Sequence, residues 1–449
     1  MNGAGLSADM RGKRPTYLLS ADRADGMARR VVRGLHERGL REGAAVVFKA
    51  NNSPLLLSAI FGALRARFMP FVIGATLTLA ETTRLLRDVP DAYLIRDEQL
   101  AELVSSNSAR DLPWRFACRP IHFTSGTSGQ PKPVWSGWLS DDLATAWVKD
   151  ECELWSFDAN DVHLVNGPLS HSAPLRFALH TLFNGGTVVV PPRFEAAFAA
   201  KELSGSGLTT TFAAPVHLQR ILRESMTRDA SLRLVAHAGS ACPDSVRFGA
   251  IDIFGPNALV EFYGSTEGTF TRSSVADWTS HRGTVGRALP GRSVRADAEG
   301  QLWCRPPQFS QFSYFGDDEK TRRTWDGDWF TVGDLGRVDS EGYVYLDGRR
   351  TDLIISGGQN VYPAEIEAVL GELPGVELLA AFGVADEEWG QRVCVAYVGQ
   401  AHEDTVRSTA RELLAGYKQP KSIVHLESMP LTHSGKIDRV QLPTFVKAH

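Results

Sequence analysis

Between Phe123 and Val134 the chain reads Phe-Thr-Ser-Gly-Thr-Ser-Gly-Gln-Pro-Lys-Pro-Val. The hydroxyls of Thr124, Ser125, Thr127 and Ser128 surround Gly126 and Gly129, and one lysine, Lys132, follows. Glycines let a backbone turn its N–H groups toward an anion. The hydroxyls add donors and Lys132 adds a positive charge, a chemistry that suits a polyphosphate. This is not a Walker A loop: Pro131 and Pro133 flank Lys132, and no Ser or Thr follows it. A Ser/Gly-rich stretch can also be a plain surface linker. The reading therefore depends on what accompanies it.

Four other segments do. They are Glu261-Phe-Tyr-Gly-Ser-Thr-Glu-Gly268; Trp329-Phe-Thr-Val-Gly-Asp-Leu335 with Gly348-Arg349; Ile355-Ser-Gly-Gly-Gln-Asn-Val-Tyr-Pro-Ala-Glu-Ile-Glu367; and Met429-Pro-Leu-Thr-His-Ser-Gly-Lys-Ile-Asp-Arg439. Together with the loop at 123–134 they resemble, in order, the motifs of the adenylate-forming superfamily, and within it the AMP-dependent acyl- and aryl-CoA synthetases. The resemblance runs from about residue 25 to residue 440.

The resemblance implies roles. Thr124, Ser125, Gly126, Thr127, Ser128, Gly129 and Lys132 hold the ATP phosphates. Tyr263 packs on adenine beside Gly264, and Gly239 and Ser240 line the same ring. Thr266 touches the α-phosphate and Glu267 holds Mg²⁺, for which a carboxylate is a suitable hard ligand. Asp334 accepts from the ribose hydroxyls, assisted by Arg349. Lys436 is the catalytic lysine of adenylation, bridging two anions as carboxylate attacks phosphate. Gly357 and Gly358 let a thiol, from CoA or carrier-protein phosphopantetheine, approach the backbone, and Thr351 stands at the domain hinge. The chain departs from the family pattern in Pro133 for Gly, Val332 for Thr, and Thr351 where Asp or Lys is common.

The acid is expected beside Gly167-Pro-Leu-Ser-His-Ser-Ala-Pro-Leu175. Amino-acid adenylating domains carry an Asp soon after this point, to pair with the α-ammonium. No acidic residue lies between Asp161 and Glu195, and an unpaired buried ammonium is costly. The substrate is therefore expected to be an aryl or compact acyl acid. His-Ser-Ala-Pro-Leu is similar to the H-N-x-P-L of aryl-acid adenylating enzymes, with Ser172 in place of Asn. His171, Ser172, Ala173, Phe262, Gly264, Thr269 and Phe270 form the expected pocket. His171 gates it and joins Lys436, Thr266 and Glu267 among the catalytic candidates. CoA is the favoured acceptor; loading of a separate carrier protein is the alternative. A silent nucleotide-binding protein of the same fold is the reading from another class. Lys436, Glu267 and Asp334 speak against it, since drift would spare none of them in particular.

Elements must bring these residues together. Leu175, Leu179, Leu182 and Phe183 share one helical face. Asn184-Gly185-Gly186 ends that helix, and Thr187 to Val190 continues as a strand. Ala45 to Lys49 and Leu232 to Ala236 read as further buried strands. Such alternation implies an α/β fold. The expectation is a large N-terminal domain (1–350) with mainly parallel sheets flanked by helices, the adenylate-forming fold. A small mobile α+β C-terminal domain (351–449) follows. There Tyr343 to Leu346 and Leu353 to Ile355 read as strands about the boundary, and Pro363 starts a helix with Ile366, Val369, Leu370 and Leu373 inward.

With 449 residues, a hydrophobic fraction of 43% and a net charge of -4, the chain fits a multi-domain globular protein without a basic nucleic-acid footprint. Cys118, Cys152, Cys242, Cys304 and Cys394 form no CxxC pair, which argues against zinc or a disulfide framework. The polar first 14 residues lack an apolar signal core. The longest apolar stretch, Pro54 to Leu64, is too short to span a bilayer. A cytoplasmic enzyme without membrane contact, able to form a homodimer, is expected.

Overall fold

The computed structural model describes residues 17–89, 91–105, 109–125, 131–227, 230–239, 242, 244–349, 354–361, 363–371, 373–430, 437, 439 and 441–446. Its main sheet has ten strands. The centre is parallel: Thr187–Val189, Val162–Val165, Thr210–Ala213, Leu234–His237 and Leu259–Gly264 lie side by side. Each is reached through a helix, such as Ser172–Phe183, Pro215–Leu222 and Asp244–Phe254. That spacing of β-rich runs and helical periods is the one the sequence shows.

Beyond Gly264 the pairing becomes antiparallel. Thr269–Ser274, Thr284–Ala288, Tyr343–Arg349 and Asp334–Val338 extend the sheet, and Leu18–Ser20 closes its other edge in the same sense. The sheet is therefore mixed. The loop from Gly264 to Thr269 is too short for a crossover, so the strand must return beside its predecessor. A second, parallel sheet pairs Ala45–Phe48 with Met69–Val72 and Tyr93–Ile95.

Ser20 caps the helix Ala21–Glu37 at the Arg23 N–H, and Ser53 caps Pro54–Arg65 at the Leu56 N–H. These helices cross closely: a Cβ on Gly62 would sit 2.9 Å from the Ala28 carbonyl oxygen. Pro54–Arg65 is buried almost all round. That explains its continuous apolar run without any membrane. No helix among the described residues is long and apolar enough to cross one.

The C-terminal sheet is separate. The long hairpin Val376–Asp386/Gly390–Gly399 pairs with Ile354–Ser356 and Ser422–His425. Ile366, Val369 and Leu370 of Pro363–Leu370 pack with Val406 and Ala410 of Glu403–Leu413 against it, and Leu373 rests on the same cluster. Contacts tie this unit to helix Leu79–Leu85 of the larger one. Glu81, buried, accepts the Ala415 N–H at 2.9 Å, and the Thr78 hydroxyl donates to the Leu413 carbonyl at 3.2 Å. Lys418 lies 3.5 Å from Glu81 and 3.1 Å from Glu365. Burial opposes its charge, but Glu365 and Glu81 hold its pKa well above the usual lysine range.

Candidate active site

The carboxyl ends of the parallel strands converge on the expected site residues, as in open α/β sheets generally. Leu234–His237 leads to Gly239, which takes a φ of +101°. Leu259–Gly264 leads to the Ser265–Gly268 loop. The Ser265 N–H donates to the Gly268 carbonyl at 2.8 Å. A Cβ on Gly264 would lie 2.6 Å from that same oxygen, so only glycine fits.

The Tyr263 hydroxyl donates to Asp334 Oδ2 at 2.6 Å, and Asp334 is 3% exposed. Across the ladder Asp334 stands opposite Arg349. Residues 71 positions apart thus place an aromatic face beside a carboxylate able to read a diol. Glu267 is buried, and its Oε1 accepts the Tyr314 hydroxyl at 2.8 Å. Its second oxygen leaves a hard donor of the kind magnesium takes together with substrate phosphates. Thr266 is half-buried beside it. Lys320 lies over the Tyr314 ring, 3.7 Å from its centroid. Burial lowers the Lys320 pKa, opposed by the Glu267 and Asp317 carboxylates.

Lys132 sits on the hairpin Phe123–Ser125/Pro131–Trp135, opposite Thr124. Its ammonium lies 3.0 Å from Asp88 and 3.5 Å from Asp317. Burial opposes that charge, but the two carboxylates raise its pKa above the lysine range. Gly126, Thr127, Ser128, Gly129, Ser240, Thr351 and Lys436 lie outside the described residues.

On the acid side, Asn52 pins the turn ahead of His171. Its amide donates to the Gly167 carbonyl and accepts the Leu169 N–H, both at 2.9 Å. His171 occupies the cap position of helix Ser172–Phe183, and burial lowers its pKa, favouring the neutral ring. Ala173 packs against an aromatic wall containing Phe262, Phe177, Phe212 and Trp155. Phe270, expected there, is elsewhere. It is 1% exposed and packs edge-on against Tyr263 and Phe330, with centroids 5.3 and 5.4 Å away. Successive strand residues face opposite sides. The register shift at Tyr263/Gly264 puts Phe270 on the tyrosine side and Thr269 away from it. Phe270 therefore backs the Tyr263 ring and is not part of the wall formed by Phe262.

Sequence reasoning missed Arg176. Its guanidinium lies 5.3 Å from the Phe262 centroid and 5.6 Å from that of Phe177, and donates to Thr269 Oγ1. Glu151 approaches it at 3.6 Å. The signal was a single basic residue inside an otherwise apolar helix turn, Pro174-Leu-Arg-Phe-Ala-Leu179.

Gly357 and Gly358 form the two-residue turn between Ile354–Ser356 and Gln359–Val361, with φ of +59° and +77°. That hairpin accounts for both glycines. Farther on, Arg439 makes a paired ion contact with Glu367, at 2.7 and 3.1 Å, and donates to the Ala381 carbonyl at 2.9 Å. It fastens position 439, three residues after Lys436, to helix Pro363–Leu370 and to the long hairpin.

The profile described as AMP-binding enzyme matches residues 118–309, and that of the AMP-binding enzyme C-terminal domain matches residues 365–436. An indoleacetate–CoA ligase of Aromatoleum aromaticum is 30% identical, across 94% of this chain and 92% of its own length. A feruloyl-CoA synthase of an Amycolatopsis species is 31% identical, across 92% and 91%. A double mutant of the o-succinylbenzoate CoA synthetase of Bacillus subtilis, bound to its product analogue, superposes with a TM-score of 0.85. That likeness, at 22% identity, covers 94% of this chain and 93% of the other, and supports the fold. The motifs, the mixed sheet with its appended C-terminal unit and these full-length relatives agree, and the chain belongs to the AMP-forming acyl- and aryl-CoA synthetases of the adenylate-forming superfamily.

Proposed function

We propose that the protein activates an aryl or compact acyl carboxylic acid with ATP and transfers the acyl group to coenzyme A. The observation that carries this reading is the pairing of Tyr263 with Asp334 at 2.6 Å, on the strand whose preceding residue, Phe262, belongs to the aromatic wall. Nucleotide and acid then meet across Gly264, where no side chain intervenes. The carboxylate oxygen attacks the α-phosphorus, an acyl–AMP anhydride forms, and pyrophosphate leaves. Lys132, the hydroxyls of the 124–128 loop, Thr266 and Lys436 stabilise the charge that develops. Glu267 holds magnesium, which when bound neutralises phosphate charge. His171, neutral and half-buried, closes the acid pocket.

In the second step the thiol attacks the acyl carbon and AMP leaves. Gly357 and Gly358 face this acceptor after the unit beyond residue 350 turns about Thr351. A cleft of about 720 Å³ opens where the two units meet, bordered by Thr78, Thr83, Arg84, Arg87, Glu412 and Leu413. Among the described residues Arg84 and Arg87 have no carboxylate partner, which suits the anionic nucleotide end of CoA. The test is ATP–pyrophosphate exchange over aryl, fatty, dicarboxylic and amino acids, followed by addition of CoA. Thioester formation with CoA supports the reading. Exchange without thioester until a phosphopantetheinylated carrier protein is added assigns the acceptor to that protein. Exchange with no acid refutes the activity.

A further inference from the structure

We infer that Arg176 makes the acid pocket selective for acids bearing a second anionic oxygen group, a carboxylate above all, at the end remote from the reacting carboxyl. The inference rests on the pocket assigned under the proposed function and goes on to name the substrate class.

Arg176 lies one helical turn beyond Ser172, and its guanidinium covers the rings of Phe262 and Phe177. A guanidinium carries five donors in a planar fork. Nη1 donates to Thr269 Oγ1. Nε and Nη2 are sealed from solvent and form no hydrogen bond among the described residues. Glu151 is the nearest carboxylate, 3.6 Å from Nε, a distance at which charges attract but no hydrogen bond forms. Its other oxygen accepts the Trp155 indole N–H at 3.1 Å, so Glu151 does not turn to serve Nη2. The aromatic rings offset part of the cost by cation–π attraction. They supply no acceptor.

The neighbouring charged groups do not fill that edge either. Arg119, Arg176 and Arg292 lie within electrostatic reach of one another. Arg292 is matched by Asp150, with two contacts at 2.7 Å. Arg176 shares Glu151; among the described residues Arg119 donates to the backbone carbonyls of Glu267 and Ser310, at 3.4 and 3.5 Å, with the Glu151 and Glu267 carboxylates in electrostatic reach. These cations and the carboxylates of Asp150, Glu151 and Glu267 balance in number, and none of the carboxylates occupies Nη2 of Arg176. The Glu267 carboxylate accepts the Tyr314 hydroxyl and acts on Arg119, not on the open donors of Arg176. An acid whose far end carries a carboxylate supplies the acceptor that Nε and Nη2 of Arg176 lack, once this sealed edge opens to the acid. An acid lacking it leaves buried donors empty, the situation in which a site discriminates most strongly.

The test compares matched acids on the full-length protein. The pairs are 2-succinylbenzoate against 3-benzoylpropionate, and terephthalate against 4-methylbenzoate. The wild type should favour the diacid in at least one pair by about 100-fold in kcat/KM for ATP–pyrophosphate exchange. Arg176→Gln should reduce that ratio by a similar factor, and Arg176→Lys should restore part of it. Removing Arg176 leaves Glu151 buried without its cation, so the Arg176→Gln/Glu151→Gln double variant serves where the single variant does not fold. Calorimetric binding of the diacids to wild type and variants is read independently of turnover. A wild-type preference for the monoacid in both pairs, or a ratio that Arg176→Gln leaves unchanged, overturns the inference. Should no acid support exchange, the activity reading fails. Diacid binding that is lost with Arg176 then still upholds the pocket's selectivity, and absence of such binding overturns it.

Discussion

Arg439→Ala should weaken one half-reaction and spare the other. The guanidinium spans Glu367 and the Ala381 carbonyl, while Glu367 also accepts the Ala381 N–H at 2.7 Å. These bonds fasten the chain three residues after Lys436 to helix Pro363–Leu370 and to the long hairpin. Hydrogen bonds to charged groups contribute about 1.5–3 kcal/mol, and partial solvent access lowers that figure. Side-chain exposures of 26% and 21% place the pair between buried and surface bridges. We take about 1–2 kcal/mol, or roughly 5- to 30-fold in the population with the lysine segment docked. Pyrophosphate release on mixing acid and ATP should fall by that factor. Thioester formation from supplied acyl-AMP and CoA should hold its rate, because the role proposed for Lys436 is confined to the charge of the first step. Lys436→Ala is the reference, with an expected loss of about 100- to 1000-fold confined to the same half-reaction. If the anchor works through the lysine, Lys436→Ala/Arg439→Ala should be no slower than Lys436→Ala. Equal losses in both half-reactions, or losses that add in the double variant, refute the reasoning.

Other outcomes follow from the same geometry. Thr351→Pro fixes φ at the position assigned to the hinge; acyl-AMP formation should stay near normal while thioester formation drops sharply, and a fully active variant would move the pivot elsewhere. Free α-amino acids should support no pyrophosphate exchange, and strong exchange with any of them, absent with aryl or acyl acids, would overturn the pocket argument. His163 and His180 are fully buried, and burial lowers their pKa from 6.5 to about 3 and about 4. The unfolded chain therefore takes up protons first as pH falls below 6.5. Stability fully present above that pH should decline by about 1.4 kcal/mol per pH unit for each histidine, until the folded pKa is reached. Thermal unfolding between pH 8 and 5 checks this, and a flat midpoint across pH 7 to 5 would contradict it.

Much of this was legible in the sequence because it is local. The helix Ser172–Phe183 announces itself by its period, and Gly185-Gly186 by its punctuation. The Tyr-Gly-Ser-Thr-Glu-Gly segment is one loop whose glycine is forced by a 2.6 Å approach within the loop itself. What escaped depends on register or on distance along the chain. Phe270 was read on the wrong face because a bulge beside Gly264 resets the side-chain alternation, and no composition rule locates such a bulge. The partnership of Tyr314 with Glu267 spans 47 positions, and that of Arg176 with Thr269 spans 93. Only the folded sheet makes them neighbours.

The acid pocket shows how a sound inference can rest on an incomplete reason. Along the chain, the case against an amino-acid substrate was the lack of an acidic residue from Asp161 to Glu195. In space a carboxylate is present, for Glu151 reaches the same wall from the preceding helix, Asp141–Trp155. It offers no site for an ammonium. Burial works against its ionisation, yet Arg176, Arg292 and Arg119 together hold its carboxyl below the usual range. Its charge is thus already spoken for by cations that an incoming ammonium would have to displace. The case against an amino acid therefore rests on a carboxylate already held by arginines, and the unpaired donors of Arg176, which repel an ammonium, are the ones a second carboxylate would fill.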